Sequence, residues 1–305
     1  MKEIYDIIVV GAGAAGMTAA LYARRNDKSV LVLEKESLGG QIATSPRLEN
    51  YPTIKEISGE EFADNLYEQI ISQGAELEVE NVVSVEKGED KIFTVKTEYN
   101  EYKARSVILA TGVKHKHLRT QSNRDDLIGR GVYYCAICDG AFYKGKEVAV
   151  IGDANTALQY VLLLSGYCKK VYVYTLFDKF FGDKQLVAAM KKRANVEWRP
   201  NTSVVDFVGD KELIAILYKD KDGNVKTHEI PAVFVAIGQI PDNEAFKNIV
   251  DLDKDGYIIA DENCTTKTEG VFVAGDCRTK AVRQVITAVA DGGIAATKAT
   301  LYIDG

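Results

Sequence analysis

Two cysteines stand three positions apart in Cys135-Ala-Ile-Cys138, and a carboxylic acid follows at once as Asp139. Thiols at that spacing can cycle between dithiol and disulfide, and the neighbouring carboxyl can handle the proton that thiol–disulfide exchange moves. Half of a zinc site is the competing use of such a pair. The remaining cysteines, Cys168, Cys264 and Cys277, are scattered singly and the chain has three histidines, so no second pair of ligands assembles and no metal is expected. Burial of the pair as two small hydrophobes is the other alternative, and the charge of Asp139 argues against it.

A second constellation lies near the start of the chain. Gly11-Ala-Gly13-Ala14-Ala15-Gly16 follows an apolar run from Tyr5 to Val10, opens a helical pattern through Arg24, and leads to a second apolar run, Val30 to Leu33, that ends at Glu34. In such a βαβ unit the first glycine allows a tight turn, the second lets a pyrophosphate approach the backbone, and the third permits close packing of helix on strand. The helix N-terminus stabilises the phosphates, and a carboxylate at the Glu34 position accepts hydrogen bonds from ribose hydroxyls. A dinucleotide beside a redox dithiol implies a flavin as the source of its electrons.

The elements around these residues repeat one plan. Glu147 to Ile151, the segment Gly152-Asp153-Ala154-Asn155-Thr156-Ala157, a helix to about Ser165 and the run Val171 to Thr175 form a second Rossmann-like unit. Further strand-like runs end in glycine turns at Thr111-Gly112, at Gly238 and at Gly275-Asp276, and a final helix is expected from Ala281 to about Tyr302. The fold class is therefore α/β, with two three-layer, Rossmann-like dinucleotide-binding domains, the second inserted into the first. Residues 1–114 and 242–305 are expected to form the discontinuous outer domain and residues 115–241 the inserted one, with the chain crossing near Gly112 to Lys116 and Gly238 to Pro241.

At 305 residues, 46% hydrophobic and 27% charged, the chain has ordinary globular composition. Its net charge of −6 disfavours nucleic-acid binding, which needs a basic footprint. No stretch reaches the roughly 18 apolar residues of a membrane span, and the run Ile7 to Val10 is too short for a signal sequence. A soluble cytoplasmic protein with no nucleic-acid or membrane partner is the expectation.

On these motifs the chain resembles the low-molecular-weight thioredoxin reductases. The likeness covers essentially its whole length: Gly11 to Gly16, Gly39-Gly-Gln-Ile, Leu48-Glu-Asn-Tyr-Pro52, Ala110-Thr-Gly112, Cys135-x-x-Cys-Asp-Gly140, Ala236-Ile-Gly238 with Pro241, and Ala274-Gly-Asp276 with Arg283-Gln284 occur in the family's order. The resemblance implies one FAD per chain, held by Gly11, Gly13, Ala14, Ala15, Gly16, Glu34, Lys35, Gly40, Gln41, Asn50, Val82, Thr111, Gly112, Asp276, Arg283, Gln284 and Val285. It also implies that Cys138 faces the flavin, that Cys135 attacks thioredoxin and that Asp139 is the acid. A homodimer whose inserted domain rotates to alternate exposure of the dithiol belongs to the same set of implications.

The second glycine loop departs from the family pattern. The family binds NADPH through GxGxxA and an HRRxxxR segment, whereas here Ala154 replaces the middle glycine and Asp153 brings a carboxylate into the loop. Two like charges at about 4 Å repel by roughly 4 kcal/mol at an effective dielectric of 20. Thr175-Leu176-Phe177-Asp178-Lys179-Phe180-Phe181 stands where the histidine and arginines belong, so no guanidinium fork meets a 2′-phosphate. Phe177, Phe180 and Phe181 are expected to fill the vacated pocket, or else to meet a partner.

NADPH is accordingly not expected, and within the family the chain most resembles the ferredoxin-dependent flavin thioredoxin reductases, which implies reduced ferredoxin as donor and thioredoxin as acceptor. Two alternatives stand beside it, an NADH-dependent reductase and a flavin redox sensor without turnover. An acidic donor would need a local basic surface, for which Arg24-Arg25, Lys114 to Arg119 and Lys191-Lys192-Arg193 are the candidates. Cys168, Cys264 and Cys277 are read as buried apolar fillers.

Overall fold

The computed structural model describes residues 3–305 apart from Thr44, Pro46, Arg47, Glu49 and Cys135; for His115, Ile137, Cys138 and Gln239 it describes the backbone alone. The chain divides into two compact units, Met1–Lys114 with Ile240–Gly305, and His115–Gln239.

The first unit opens with β1 (Tyr5–Val10), α1 (Ala14–Arg25) and β2 (Val30–Glu34). Both strands are mostly apolar runs rich in Val, Ile or Leu, the pattern of parallel strands covered on both faces, and every residue of β2 is buried. α2 (Gly59–Ser72) starts at Ser58, whose hydroxyl accepts from the Glu61 amide at 3.0 Å. There follow β3 (Glu76–Val79), β4 (Val82–Lys87), β5 (Phe93–Thr97) and β6 (Glu101–Leu109). The sheet runs β3-β2-β1-β6-β5-β4. β6 is long enough to serve two partners: Glu101 to Ala104 pair antiparallel with β5, while its C-terminal half pairs in parallel elsewhere. The short strand β7 (Lys114–His115) then carries the chain across to the second unit.

That unit contains β8 (Val132–Tyr133), α3 (Ala136–Asp139), β9 (Glu147–Ile151), α4 (Asn155–Leu164), β10 (Lys170–Tyr174), α5 (Lys184–Lys191) and β11 (Val196–Arg199). β12 (Ser203–Gly209), β13 (Leu213–Lys219) and β14 (Val225–Glu229) form a separate antiparallel sheet. With β15 (Val233–Val235) the main sheet is all parallel, in the order β11-β10-β9-β15-β8. β16 (Gln239–Ile240) marks the return crossing.

The chain completes the first unit with β17 (Val271–Val273), which pairs with β6, and α6 (Val285–Asp304). α6 lies against α1 so closely that a Cβ on Gly292 would fall 2.3 Å from the Ala15 carbonyl oxygen. The helix starts at Val285, not at Ala281 as the sequence pattern suggests. Gln284 and Thr287 cap each other's backbone amides, which holds residues 281–284 outside the helix. The result is an α/β fold of two Rossmann-like units with parallel sheets. Cys168, Cys264 and Cys277 are buried within them; burial pushes the first two thiols up to about 11 and about 12 and the third upward as well, so they remain protonated fillers.

Candidate active site and cofactor cradle

In the first unit the three loop glycines divide their work. Gly11 turns the chain at a φ of +105°, and a Cβ there would lie 2.4 Å from the Ala110 carbonyl oxygen. At Gly16 it would lie 1.9 Å from the Gly11 oxygen, so helix and loop can approach only without a side chain. Gly13 is different: its φ of −78° suits any residue, and a Cβ would meet nothing nearer than the Gly39 oxygen at 3.8 Å. The protein itself does not require a glycine at position 13. A missing side chain facing open space is the cradle that a diphosphate would fill.

Around that space the remaining expected residues take definite places. Glu34, buried at the end of β2, accepts the Ala12 amide at 2.7 Å on one oxygen and the Glu36 amide at 3.0 Å on the other, leaving lone pairs on both. Ala14 and Ala15 are buried in the first turn of α1, and Gly40 follows Gly39, which bridges to Gly13. Gln41 donates to the Val113 carbonyl at 3.4 Å, Asn50 to the Gln284 side chain at 3.0 Å, and Thr111 to Asn243 at 2.7 Å. Gly112 holds a left-handed φ of +63° with open space where a Cβ would be, and Val285 packs on Ala14 and Leu48. Val82 lies in the apolar core with Val85 and Phe93. Lys35 sits within 3.9 Å of Asp242, and burial and then the Lys114 ammonium push it below the usual lysine range.

Asp276 is the most telling member of the set. Its Oδ1 is buried without a hydrogen-bond partner among the described residues, and burial pushes its carboxyl above the ordinary range against the pull of Lys280 and Arg283. A buried unpaired acceptor is costly, and a ligand hydroxyl would satisfy it. The Arg283 guanidinium is committed to the chain: it donates to the Asp276 and Arg278 carbonyls, both at 3.2 Å, and lies 3.9 Å from the Tyr257 ring centre.

Sequence reasoning passed over the charges behind this loop. Arg278 grips Asp291 with two bonds of 2.9 and 2.7 Å, Lys280 adds a third at 2.8 Å, and the Gly275 amide donates to the same carboxylate at 3.0 Å. Burial alone would raise Asp291, but Arg278 and Lys280 hold it below the ordinary range. The signal was present as an acid beside Gly292-Gly293 within an otherwise apolar helix. Asn243, which links Thr111 to the Cys277 carbonyl at 3.1 Å, was also missed.

In the second unit the dithiol motif spans the start of α3. Cys135 lies outside the described residues, and of Cys138 the backbone alone is described. Asp139 ends the short helix, half-buried and without a hydrogen bond to a described residue, and burial raises its carboxyl above the usual range. Gly140 follows where a Cβ would meet the Tyr167 hydroxyl at 2.3 Å and Leu164 at 2.8 Å, so α3 can turn only by lying close to α4. Among the described residues no group of three or more His, Cys, Asp or Glu could hold a metal ion.

The second glycine loop keeps its backbone and changes its surface. A Cβ on Gly152 would fall 2.1 Å from the Ala236 oxygen, the counterpart of Gly11 against Ala110, and Ala157 is buried where Gly16 lies in the first unit. Ala154, in the middle position, is exposed. Over the start of α4 lies the segment after β10: the Phe181 amide donates to the Asp153 carbonyl at 2.7 Å, and the Asp183 amide to the Asn155 side chain at 2.6 Å. The expectation that all three phenylalanines fill a vacated pocket is corrected. Phe180 packs against Trp198 at 5.1 Å, but Phe177 and Phe181 are 49% and 57% exposed and meet each other edge to face at 5.4 Å. Their chain segment is tied down by main-chain hydrogen bonds, which leaves their rings outward.

Residues 5–292 match the pyridine nucleotide-disulphide oxidoreductase family. The chain belongs to this family. It is 37% identical to the thioredoxin reductase of Listeria monocytogenes across 99% of this chain and 95% of that one. Among solved structures it matches the thioredoxin reductase of Lactococcus lactis, in the FR conformation, with a TM-score of 0.95 and 31% identity over 98% and 99% of the two chains. A ferredoxin-flavin thioredoxin reductase from Clostridium acetobutylicum matches with a TM-score of 0.54 and 28% identity over 99% and 98%. Two Rossmann units are thus both present, one with open space at Gly13 and one with residues 181–183 hydrogen-bonded to the loop that starts its helix. Among the described residues no helix is long and apolar enough to cross a membrane.

Proposed function

We propose that the protein is a flavoprotein disulfide reductase that carries electrons from reduced ferredoxin, by way of FAD and the Cys135–Cys138 pair, to thioredoxin, and that it does not use NADPH. The observation that carries the reading is the contrast between the open Gly13 cradle and the start of α4, where Ala154 replaces glycine and the Phe181 and Asp183 amides are bonded to Asp153 and Asn155 of the loop. The ferredoxin-flavin thioredoxin reductase of similar fold supports it. A homodimer in the cytoplasm belongs to the same proposal.

FAD fits the first unit, because Asp276 presents a buried unpaired acceptor and Gly13 an open approach. Gly11 to Gly16 and the α1 N-terminus would hold the diphosphate, Glu34 the ribose, and Asp276 a hydroxyl; Lys35, Gly40, Gln41, Asn50, Val82, Thr111, Gly112, Arg283, Gln284 and Val285 complete the proposed set. When bound, FAD supplies the means to take electrons singly and pass them on as a pair. Two reduced ferredoxins and two protons convert the protein disulfide to the dithiol. Cys135, as thiolate, then attacks the thioredoxin disulfide and forms a mixed disulfide as one thioredoxin sulfur leaves. Cys138 attacks Cys135, releasing reduced thioredoxin and restoring the protein disulfide. Asp139, raised by burial, holds a proton beside this exchange at a higher pH than an exposed aspartate would.

Anaerobic titration of the purified protein tests the donor: reduced ferredoxin should bleach the flavin absorbance and NADPH should not. Rapid bleaching by NADPH would overturn the reading. A second reading, an NADH-dependent reductase, is favoured by the retained Gly152 turn and by a family defined by pyridine nucleotides. Saturable bleaching by micromolar NADH would establish it instead.

A further inference from the structure

A groove of about 420 Å³ lies along α5 in the second unit. Lys184, Val187 and Lys191 line it from one face of the helix, Lys179 and Phe180 from the preceding loop, and Trp198 from β11. Phe180 and Trp198 stand 5.1 Å apart and form an apolar floor with Val187, while the Lys191 ammonium lies 5.8 Å from the Trp198 ring centre. None of Lys179, Lys184 and Lys191 forms an ion pair among the described residues, and Asp178 is the one acid in the lining. The Lys179 ammonium lies 5.0 Å from the Phe181 ring centre, and together with Lys184 and Lys191 it makes a local reversal of charge in a chain of net charge −6.

The spacing restricts the ligand. Lys184 and Lys191 are two helical turns apart on one face, about 10 Å at roughly 1.5 Å per residue. Both flexible lysine side chains could converge on one phosphate, but the apolar Phe180–Trp198 floor favours a ligand that also carries an apolar group, and an extended peptide spans the distance in about three residues. The groove therefore suits a segment with carboxylates at both ends and an apolar or aromatic side chain between them.

Resting on the reading that ferredoxin is the donor, we propose that this groove docks an acidic, extended segment of ferredoxin, with Lys184 and Lys191 pairing its carboxylates and Phe180 and Trp198 receiving its apolar residue. The surface is confined to the second unit and does not involve the dithiol or the flavin cradle.

The test uses the FAD-loaded protein, its Lys184→Glu/Lys191→Glu variant and a single-reversal control in the first unit, Lys254→Glu. Both lysines are exposed, and the glutamate that suits the helix dipole in the first turn of α5 offsets the one that opposes it in the last, so the variant is expected to fold. Trp198 is the sole tryptophan, and its fluorescence reports the groove directly. Oxidised ferredoxin should quench it saturably in the wild type, and the double reversal should raise the ferredoxin Kd and KM by about tenfold or more and flatten their salt dependence. The control should behave as the wild type, and thioredoxin reduction by dithionite-reduced variant should be unchanged.

Equal ferredoxin Kd values for variant and wild type would overturn the docking inference, whatever the kinetics. So would Trp198 quenching by thioredoxin but not ferredoxin, or by inorganic triphosphate with ferredoxin binding undisturbed. If ferredoxin quenches Trp198 in a lysine-dependent way yet fails to reduce the wild-type flavin, the groove assignment stands and the donor reading falls.

Discussion

The two glycine loops of this protein start from one backbone plan and end with opposite surfaces. In the first unit Gly11 and Gly16 are required by carbonyl oxygens 2.4 and 1.9 Å from where a side chain would begin, while Gly13 faces open space. In the second unit Gly152 meets the same kind of constraint, yet the middle position is the exposed Ala154 and the segment 177–183 is bonded over the helix start. Residues that hold strand to helix are kept in both units because the fold needs them. The middle position, which the fold does not require to be glycine, is Gly13 in one unit and Ala154 in the other, and the parallel sheet beside Ala154 is intact.

The largest expected effect separates the units outright. Cys138→Ser should abolish thioredoxin reduction while FAD stays bound, as read by turnover and by the visible spectrum of the same sample; loss of flavin would mean that the units depend on each other. Next, Gly16→Ala should destabilise the protein by about 3 kcal/mol, because its methyl would meet backbone. Gly13→Ala should melt within a degree or so of the wild type on this geometry and yet weaken FAD binding by about tenfold or more. If Gly13→Ala unfolds as readily as Gly16→Ala, the division of labour among the glycines is wrong.

A smaller effect is expected from Asp276→Asn. Burial raises the folded-state pKa of Asp276, so its ionisation costs stability. That cost is absent below the ordinary aspartate range near pH 4 and grows as pH climbs through the raised value. The asparagine should remove this pH dependence from flavin-free melting curves and weaken FAD several-fold in a dialysis assay. The smallest effect belongs to Ala154→Gly. With the Phe181 and Asp183 amides still bonded across the loop, restoring the glycine alone should yield no saturable flavin reduction by NADPH in stopped-flow mixing. Recovery of NADPH reduction would show that one methyl group, and not the covering segment, separates the two loops.

Local pattern carried much of this. β1, α1 and β2 were legible because the apolar runs, the glycine turn and Glu34 are contiguous and each element is stabilised by neighbours within the motif. The start of α6 was misplaced by four residues, since residues 281–284 read as helical and only the Gln284–Thr287 cap excludes them. Phe177 and Phe181 were assigned to the interior on hydrophobicity, but main-chain hydrogen bonds to Asp153 and Asn155 decide where that segment lies. Asn243 and the Arg278–Lys280–Asp291 cluster were passed over because each forms only when residues well apart in the chain are brought together. The antiparallel sheet β12–β14 and the strands β3 to β5 hold no chemical motif that could have announced them.

Composition, spacing and turn chemistry were enough to read an α/β chain with two Rossmann-like units, and they single out the glycine loop at Gly11 and the cysteine pair Cys135 and Cys138, because those signals depend on a few adjacent residues. Folding alone decided that Asp276 is buried with an oxygen unsatisfied among the described residues, that Gly13 is open where Gly16 is closed, and that three lysines line one groove with Phe180 and Trp198. Burial, desolvation and the convergence of distant charges are properties of the packed chain, and no window of sequence contains them.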